Sequence, residues 1–221
     1  MKVSFIAVDG KEYMWHRHEA AQRSRAQNPV RGVRSAGEEL GGHVEKAARD
    51  YLSELGMELS AHRVLRLEDM TGASYLELDG AVGQEPPKLI FEVKLASDPA
   101  ASVRKGRKQL RRARMHCRES FPNMRAAVIV VSWANASPYR GSNVLRGVAE
   151  FCEMQWSVFD VPVLNIPLDD LWGYVTAKAK DSLLNDALRE LRTGRRYDLS
   201  DQPTEKPFGA MANALRVALE E

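Results

Sequence analysis

The sequence predicts an α/β protein with a mixed central β-sheet flanked by helices and further helices towards its C-terminal end. Three stretches predict it. Residues 35–56 (SAGEELGGHVEKAARDYLSELG) carry apolar side chains at helical spacing. Residues 75–97 (YLELDGAVGQEPPKLIFEVKLAS) alternate apolar and charged residues on either side of a short Pro-Pro loop, as two antiparallel strands do. Residues 126–133 (AAVIVVSW) are an uninterrupted apolar run, which suits a strand buried on both faces.

Taken in order, residues 3–8 form a strand that ends in the turn Val8-Asp9-Gly10-Lys11. Residues 16–34 are rich in Arg and lack a clean period, so they are a mobile basic arm or a poorly patterned helix broken near Pro29. Ser35 and Glu38 make a capping box that starts the next helix. Leu40, Val44, Ala47, Tyr51 and Leu55 line one of its faces, and Gly56 stops it. Residues 64–67 (VLRL) are the candidate first strand of the central sheet, followed by strands near 74–82 and 88–95. A helix over about 100–117 precedes the buried strand, and another is expected over about 143–155. The extended piece VPVLNIP leads to helices near 168–178 and 181–193. Residues 194–207 resemble a linker, and 208–220 pattern as an amphipathic helix. This gives three parts: 1–35, an N-terminal strand and basic arm; 36–193, the α/β domain; and 194–221, linker and terminal helix.

The chain has 221 residues, 44% hydrophobic and 28% charged, a balance that excludes a disordered chain. The apolar run at the N-terminus, Val3 to Val8, is too short for a signal-peptide core, and no later stretch approaches a membrane span. Cys117 and Cys152 lie far apart with no CxxC spacing, so two free thiols in a reducing, cytoplasmic setting are expected. The net charge of +2 hides a pattern. Residues 1–36 carry seven Lys/Arg against three acids, residues 37–97 six against twelve, and residues 98–118 eight against one. An acidic centre between basic blocks suits a metal pocket beside an anion-binding surface.

The charged strands carry the chemistry. Side chains at i and i+2 of a strand share a face about 6.5–7 Å apart. Leu89, Phe91, Val93 and Leu95 therefore face one way, and Ile90, Glu92 and Lys94 the other. In the preceding strand Leu76 and Leu78 share one face, Glu77 and Asp79 the opposite one. Paired, the two strands can bring Asp79, Glu92 and Lys94 together. Two carboxylates at close range repel, and one tends to take a proton. A hard divalent cation such as Mg2+ removes the conflict, prefers oxygen ligands and activates water against a phosphate. Taken alone, Glu92-Val93-Lys94 is most simply a surface ion pair worth at most about 1 kcal/mol; its company changes that reading.

Asp79, twelve intervening residues and Glu92-x-Lys94 resemble the core of the PD-(D/E)XK nuclease superfamily, the restriction-endonuclease-like fold. Gly42-His43-Val44-Glu45 is similar to the G-x-x-E of that family's first helix. Gln109-Leu110 resembles the Q-L element of its RecB-type and lambda-exonuclease-type branch. The order of elements is similar to its αβββαβ core, over about residues 36–133. Leu78 stands where the name-giving proline would be. The resemblance implies that Asp79 and Glu92 ligate Mg2+ (or Mn2+) together with the main-chain carbonyl of Val93. It implies that Lys94 positions the attacking water and that Glu45 completes the acidic site. Gln109 would steady Lys94 or the scissile phosphate. Glu77 is the competing carboxylate, set aside because Asp79-Gly80 at a strand end fits the pattern better.

The helix over 100–118 puts Val103, Gly106, Leu110, Ala113 and Cys117 on one narrow face. Arg104, Lys105, Arg107, Lys108, Arg111 and Arg112 lead the cations on the rest. Cations without acid partners repel one another, and phosphates relieve that repulsion. No Walker A, G-x-G-x-x-G or G-x-S-x-G motif is present, and His16-x-His18 lacks the downstream ligands of a zinc site. The expectation is a Mg2+-dependent nuclease acting on nucleic acid, foremost double-stranded DNA, in phage defence, restriction, or recombination and repair. The alternative is a non-catalytic nucleic-acid-binding or assembly subunit of the same fold. The C-terminal helices offer a surface for a second copy or a larger complex.

Overall fold

In a computed structural model the described residues are 1–27, 36–96, 99–132, 143–144, 161–177 and 180–193. They form a mixed α/β fold with two sheets and five helices. The elements are β1 (Lys2–Ile6), α1 (Lys11–Gln27), α2 (Ala36–Glu54), β2 (Val64–Asp69), β3 (Gly72–Glu77), β4 (Gly80–Val82), β5 (Leu89–Ala96), α3 (Pro99–Cys117), β6 (Arg125–Ser132), β7 (Asn143–Val144), β8 (Val163–Pro167), α4 (Leu168–Thr176) and α5 (Asp181–Thr193).

The larger sheet has the order β4-β5-β6-β8-β7, with β4 antiparallel to β5 and the rest parallel. Its two faces bury separate cores, as the strand period requires. Leu89, Phe91 and Val93 of β5 join Ala127, Ile129 and Val131 of β6 and the apolar stripes of α2, α4 and α5. On the other face Ile90, Val128, Val130 and Val163 pack against Val103, Leu110, Ala113 and Cys117 of α3. Glu92 and Lys94 share that second face because they alternate with Val93.

The α3 stripe is buried as its spacing predicts: Val103, Gly106, Leu110, Ala113 and Cys117. Gly106 is the point of closest approach. A Cβ there would stand 3.0 Å from Val128 Cγ2 and 3.7 Å from Lys94 Cγ. The buried face of α2 is broader than the predicted stripe, for it also takes Ala36, Ala48 and Leu52 while Tyr51 and Leu55 lie at its rim. The helix ends where expected. Gly56 adopts φ +90°, and Met57 N–H donates to Leu52 O while Gly56 N–H donates to Ser53 O. This left-handed cap is open to glycine at little cost.

Two strand expectations need correction. The strand over 74–82 is two strands in two sheets: β3 pairs with β2, β4 pairs with β5, and Leu78-Asp79 forms the step between them. The strand at 64–67 lies in the antiparallel sheet β1-β2-β3, not in the central one. The reason is the same for both. Alternation fixes which way a side chain points but not which strand lies alongside, and β2 finds partners in β1 and β3 on its two edges.

Residues 16–27 are helical, as in the second of the two readings, but the helix starts earlier, at Lys11; residues 28–34, with the break expected near Pro29, lie outside the described residues. Among its described side chains Tyr13 is the buried one; ring contacts of Tyr13 and His16 with Tyr75, together with polar contacts, supply the attachment. Tyr13 Oη donates to Glu77 at 2.6 Å, and Arg66 Nε to Glu12 at 2.9 Å. The predicted helix over 143–155 begins instead with the two residues of β7, paired to β8; its remainder lies outside the described residues, as do Ser35, Trp133, Cys152, Trp156 and everything from 194 onwards. Among the described residues no helix is long and apolar enough to cross a membrane.

Candidate active site

Asp79 sits on the step between β3 and β4, and Glu92 and Lys94 on β5. The step has local causes. Gly80 lies so close to the Phe91 ring that a Cβ would stand 1.9 Å from its Cζ. Only glycine lets the chain enter β4 directly after Asp79. Two arginines hold the step from outside: Arg63 Nη1 donates to Leu78 O at 2.5 Å and Arg49 Nη1 to Asp79 O at 2.7 Å.

Thus placed, the Asp79 carboxylate reaches across to β5. Its Oδ2 accepts from Val93 N–H at 2.7 Å and from Lys94 Nζ at 3.2 Å. Lys94 Nζ also donates to Glu92 Oε2 at 2.7 Å, so the ammonium bridges the two acids. Glu92 is 1% exposed, and its second oxygen, Oε1, is buried with no hydrogen-bond partner. β4 covers β5 only over Leu89–Phe91, which leaves the edge at Val93 open. The N–H and C=O of one strand residue point to the same edge. The Val93 carbonyl therefore faces the edge that Asp79 occupies.

The electrostatics follow from this crowding. Burial, and then the Asp79 charge, push the Glu92 carboxyl up to about 8, with Lys94 pulling the other way. Burial alone would lower the Lys94 ammonium, but the two carboxylates outweigh it and raise it. Glu45, one turn before Arg49 on α2, is raised by burial and by Asp79, against the pull of Lys94, Arg49 and Arg63. It therefore lies within the field of the site. Among the described residues no three His, Cys, Asp or Glu side chains stand at metal-ligand spacing.

The donors nonetheless fit a hard divalent cation. They are all oxygens: two carboxylates and an edge carbonyl. One carboxylate oxygen is buried without a donor, and the pair carries a repulsion that a cation would relieve.

Glu77 turns away from this cluster. It accepts from Tyr13 and pairs with Arg63 at 3.0 Å, so it ties β3 to α1 and to the segment just before β2. Gln109 is half-buried on α3, with Oε1 enclosed and unpartnered. Arg104, Lys105, Lys108, Arg111 and Arg112 are exposed, whereas Arg107 is partly buried and its Nε donates to Val161 O at 3.0 Å. The buried stripe of α3 covers the Lys94 stem at Gly106, and the exposed cations lie on the other sides of that helix. Cys117 is buried and its thiol is pushed up to about 12, which suits a core residue rather than a nucleophile.

Arg49 and Arg63 belong to the site although sequence reading missed them. A lone arginine on a helix flank or a strand end reads as a solvated charge, and only the step at Leu78-Asp79 gives these two a target. Comparison with family models, with curated proteins and with solved structures finds no match for this chain. The site must be read from its own geometry.

Proposed function

We propose that the protein is a metal-dependent nuclease that hydrolyses phosphodiester bonds of nucleic acid, with DNA the foremost substrate. The observation that carries this reading is Lys94 held at 2.7 and 3.2 Å between Glu92 and Asp79, with a buried Glu92 oxygen left without a partner. Burial and the neighbouring Asp79 make Glu92 keep its proton, a conflict between two crowded acids that a divalent cation removes. The resemblance to the PD-(D/E)XK pattern supports the same reading.

Asp79, Glu92 and the Val93 carbonyl would hold Mg2+, or Mn2+ in its place. Such an ion supplies Lewis-acid stabilisation of a phosphate oxygen and lowers the pKa of bound water. The chain's own residues do the rest. Lys94 has three N–H donors, two of them used on the carboxylates, leaving one for the attacking water or a phosphate oxygen. Its positive charge opposes the negative charge that builds on phosphorus. Deprotonated Glu92 is needed to hold a cation, so loading the site releases its proton. The exposed cations of α3 hold the backbone without reading sequence.

The test is cleavage of supercoiled, linear double-stranded and single-stranded DNA, and of RNA, each in Mg2+, Mn2+ or EDTA. Cutting that needs the divalent ion supports the reading. No cutting of any of them, beside salt-sensitive binding, supports the alternative of a non-catalytic nucleic-acid-binding subunit.

A further inference from the structure

Asp79 is aimed by its main chain, and its main chain is held by two arginines from different elements. Arg49 comes from α2 and Arg63 from the segment just before β2. They bond consecutive carbonyls, Asp79 O at 2.7 Å and Leu78 O at 2.5 Å, just past the end of the β2·β3 ladder, whose last main-chain bond runs from Leu78 N–H to Arg63 O at 3.0 Å. That bond fixes the start of the step at Leu78, and the angle at which the chain leaves it through Asp79 rests on the two carbonyl contacts. Turning it by even a small amount would swing the Asp79 carboxylate off Val93 N–H and Lys94 Nζ. Both arginines are more than a salt link: each gives a directed N–H to a carbonyl, and Arg63 is tied in addition to Glu77. Arg49 is partly buried and lies one helical turn from Glu45, so its charge also offsets the acids around it.

We propose that Arg49 and Arg63 are positioning residues that clamp the Leu78-Asp79 step and so aim the Asp79 carboxylate at Val93 N–H, Lys94 and the ion-binding edge of β5. Their bearing on catalysis rests on the nuclease reading; their bearing on Asp79 does not. The Val93 amide gives a direct reporter. It lies on the open edge of β5, beyond the reach of β4, and its partner is Asp79 Oδ2 at 2.7 Å. Its protection from hydrogen exchange therefore measures how well Asp79 is aimed.

The experiment is amide exchange by NMR on the metal-free full chain, comparing wild type with Arg49→Ala, Arg49→Lys and Arg63→Ala. In Arg49→Ala the Val93 amide should exchange about tenfold faster or more, the scale of one hydrogen bond removed. The amides of β6, from Val128 to Val131, should keep their rates. Arg49→Lys, which retains an N–H donor and the charge, should recover part of the protection. Cleavage by Arg49→Ala should lose kcat and need more Mg2+, with DNA affinity unchanged. Unchanged Val93 protection in both alanine variants overturns the inference, and so does a loss that spreads equally through β6, which would mark a general packing role. A wild type that exchanges as expected but cuts nothing overturns the nuclease reading alone.

Discussion

Replacing Glu92 with Gln should stabilise the metal-free protein at neutral and alkaline pH while removing cleavage. The carboxyl is 1% exposed and faces Asp79, which together push it from about 4.5 to about 8. Between those two pH values the folded chain holds a proton that the unfolded chain has released. The contribution of this one group to stability is therefore greatest below pH 4.5 and falls as pH rises towards 8. The interval is about 3.5 units, and each unit corresponds to about 1.4 kcal/mol. Relative to Glu92→Gln, wild type should lose on the order of a few kcal/mol between pH 5 and pH 9. Lys94, whose folded pKa is raised, contributes stability that is intact up to its unfolded value near 10.5, so it leaves this window undisturbed. Gln is the shape of the protonated acid, and its amide oxygen still accepts from Lys94. The assay is denaturant unfolding in EDTA at pH 5, 7 and 9. The two proteins should agree at pH 5 and diverge by several kcal/mol at pH 9. Parallel curves would refute the reasoning, since they would mean that Glu92 ionises as easily in the fold as in water.

Other outcomes follow from the same geometry. Gly80→Ala places a Cβ 1.9 Å from the Phe91 ring and should cost about 1–3 kcal/mol of stability, seen as a lower Tm, together with cleavage. Alanine at Lys105, Lys108, Arg111 or Arg112, all exposed on α3, should weaken DNA binding without regard to sequence. Each cation removed from the phosphate backbone should reduce the slope of log K against log salt by about 1. Adding Mg2+ at pH 8 should raise the Tm of wild type but not of Asp79→Ala, because binding to the folded state alone stabilises it.

Much of the site was legible because it lies on regular elements. On β5 the alternation alone puts Glu92 and Lys94 on one face and Phe91 and Val93 on the other, and the structure keeps that division. On α3 the helical period names its five buried residues, because their small and apolar side chains contrast with the surrounding cations. The step between β3 and β4 was hidden. Tyr75 to Val82 reads as one strand, since Asp-Gly can end a strand as readily as interrupt it. What interrupts it is distant in sequence: the Phe91 ring over Gly80, and the two arginines on consecutive carbonyls. The helix α1 was equally hidden, for its face carries no apolar period; Glu12 and Tyr13 attach it to residues of β2 and β3.

The most direct test of the account is the rate of DNA cleavage under saturating Mg2+ by wild type, Asp79→Asn and Lys94→Met, each checked for folding. Loss of a group that holds the ion or opposes the transition-state charge should slow cutting by about 100-fold or more in each variant, with DNA still bound. Equal rates in all three proteins would contradict the assignment of the Asp79–Glu92–Lys94 cluster as the site of phosphodiester hydrolysis.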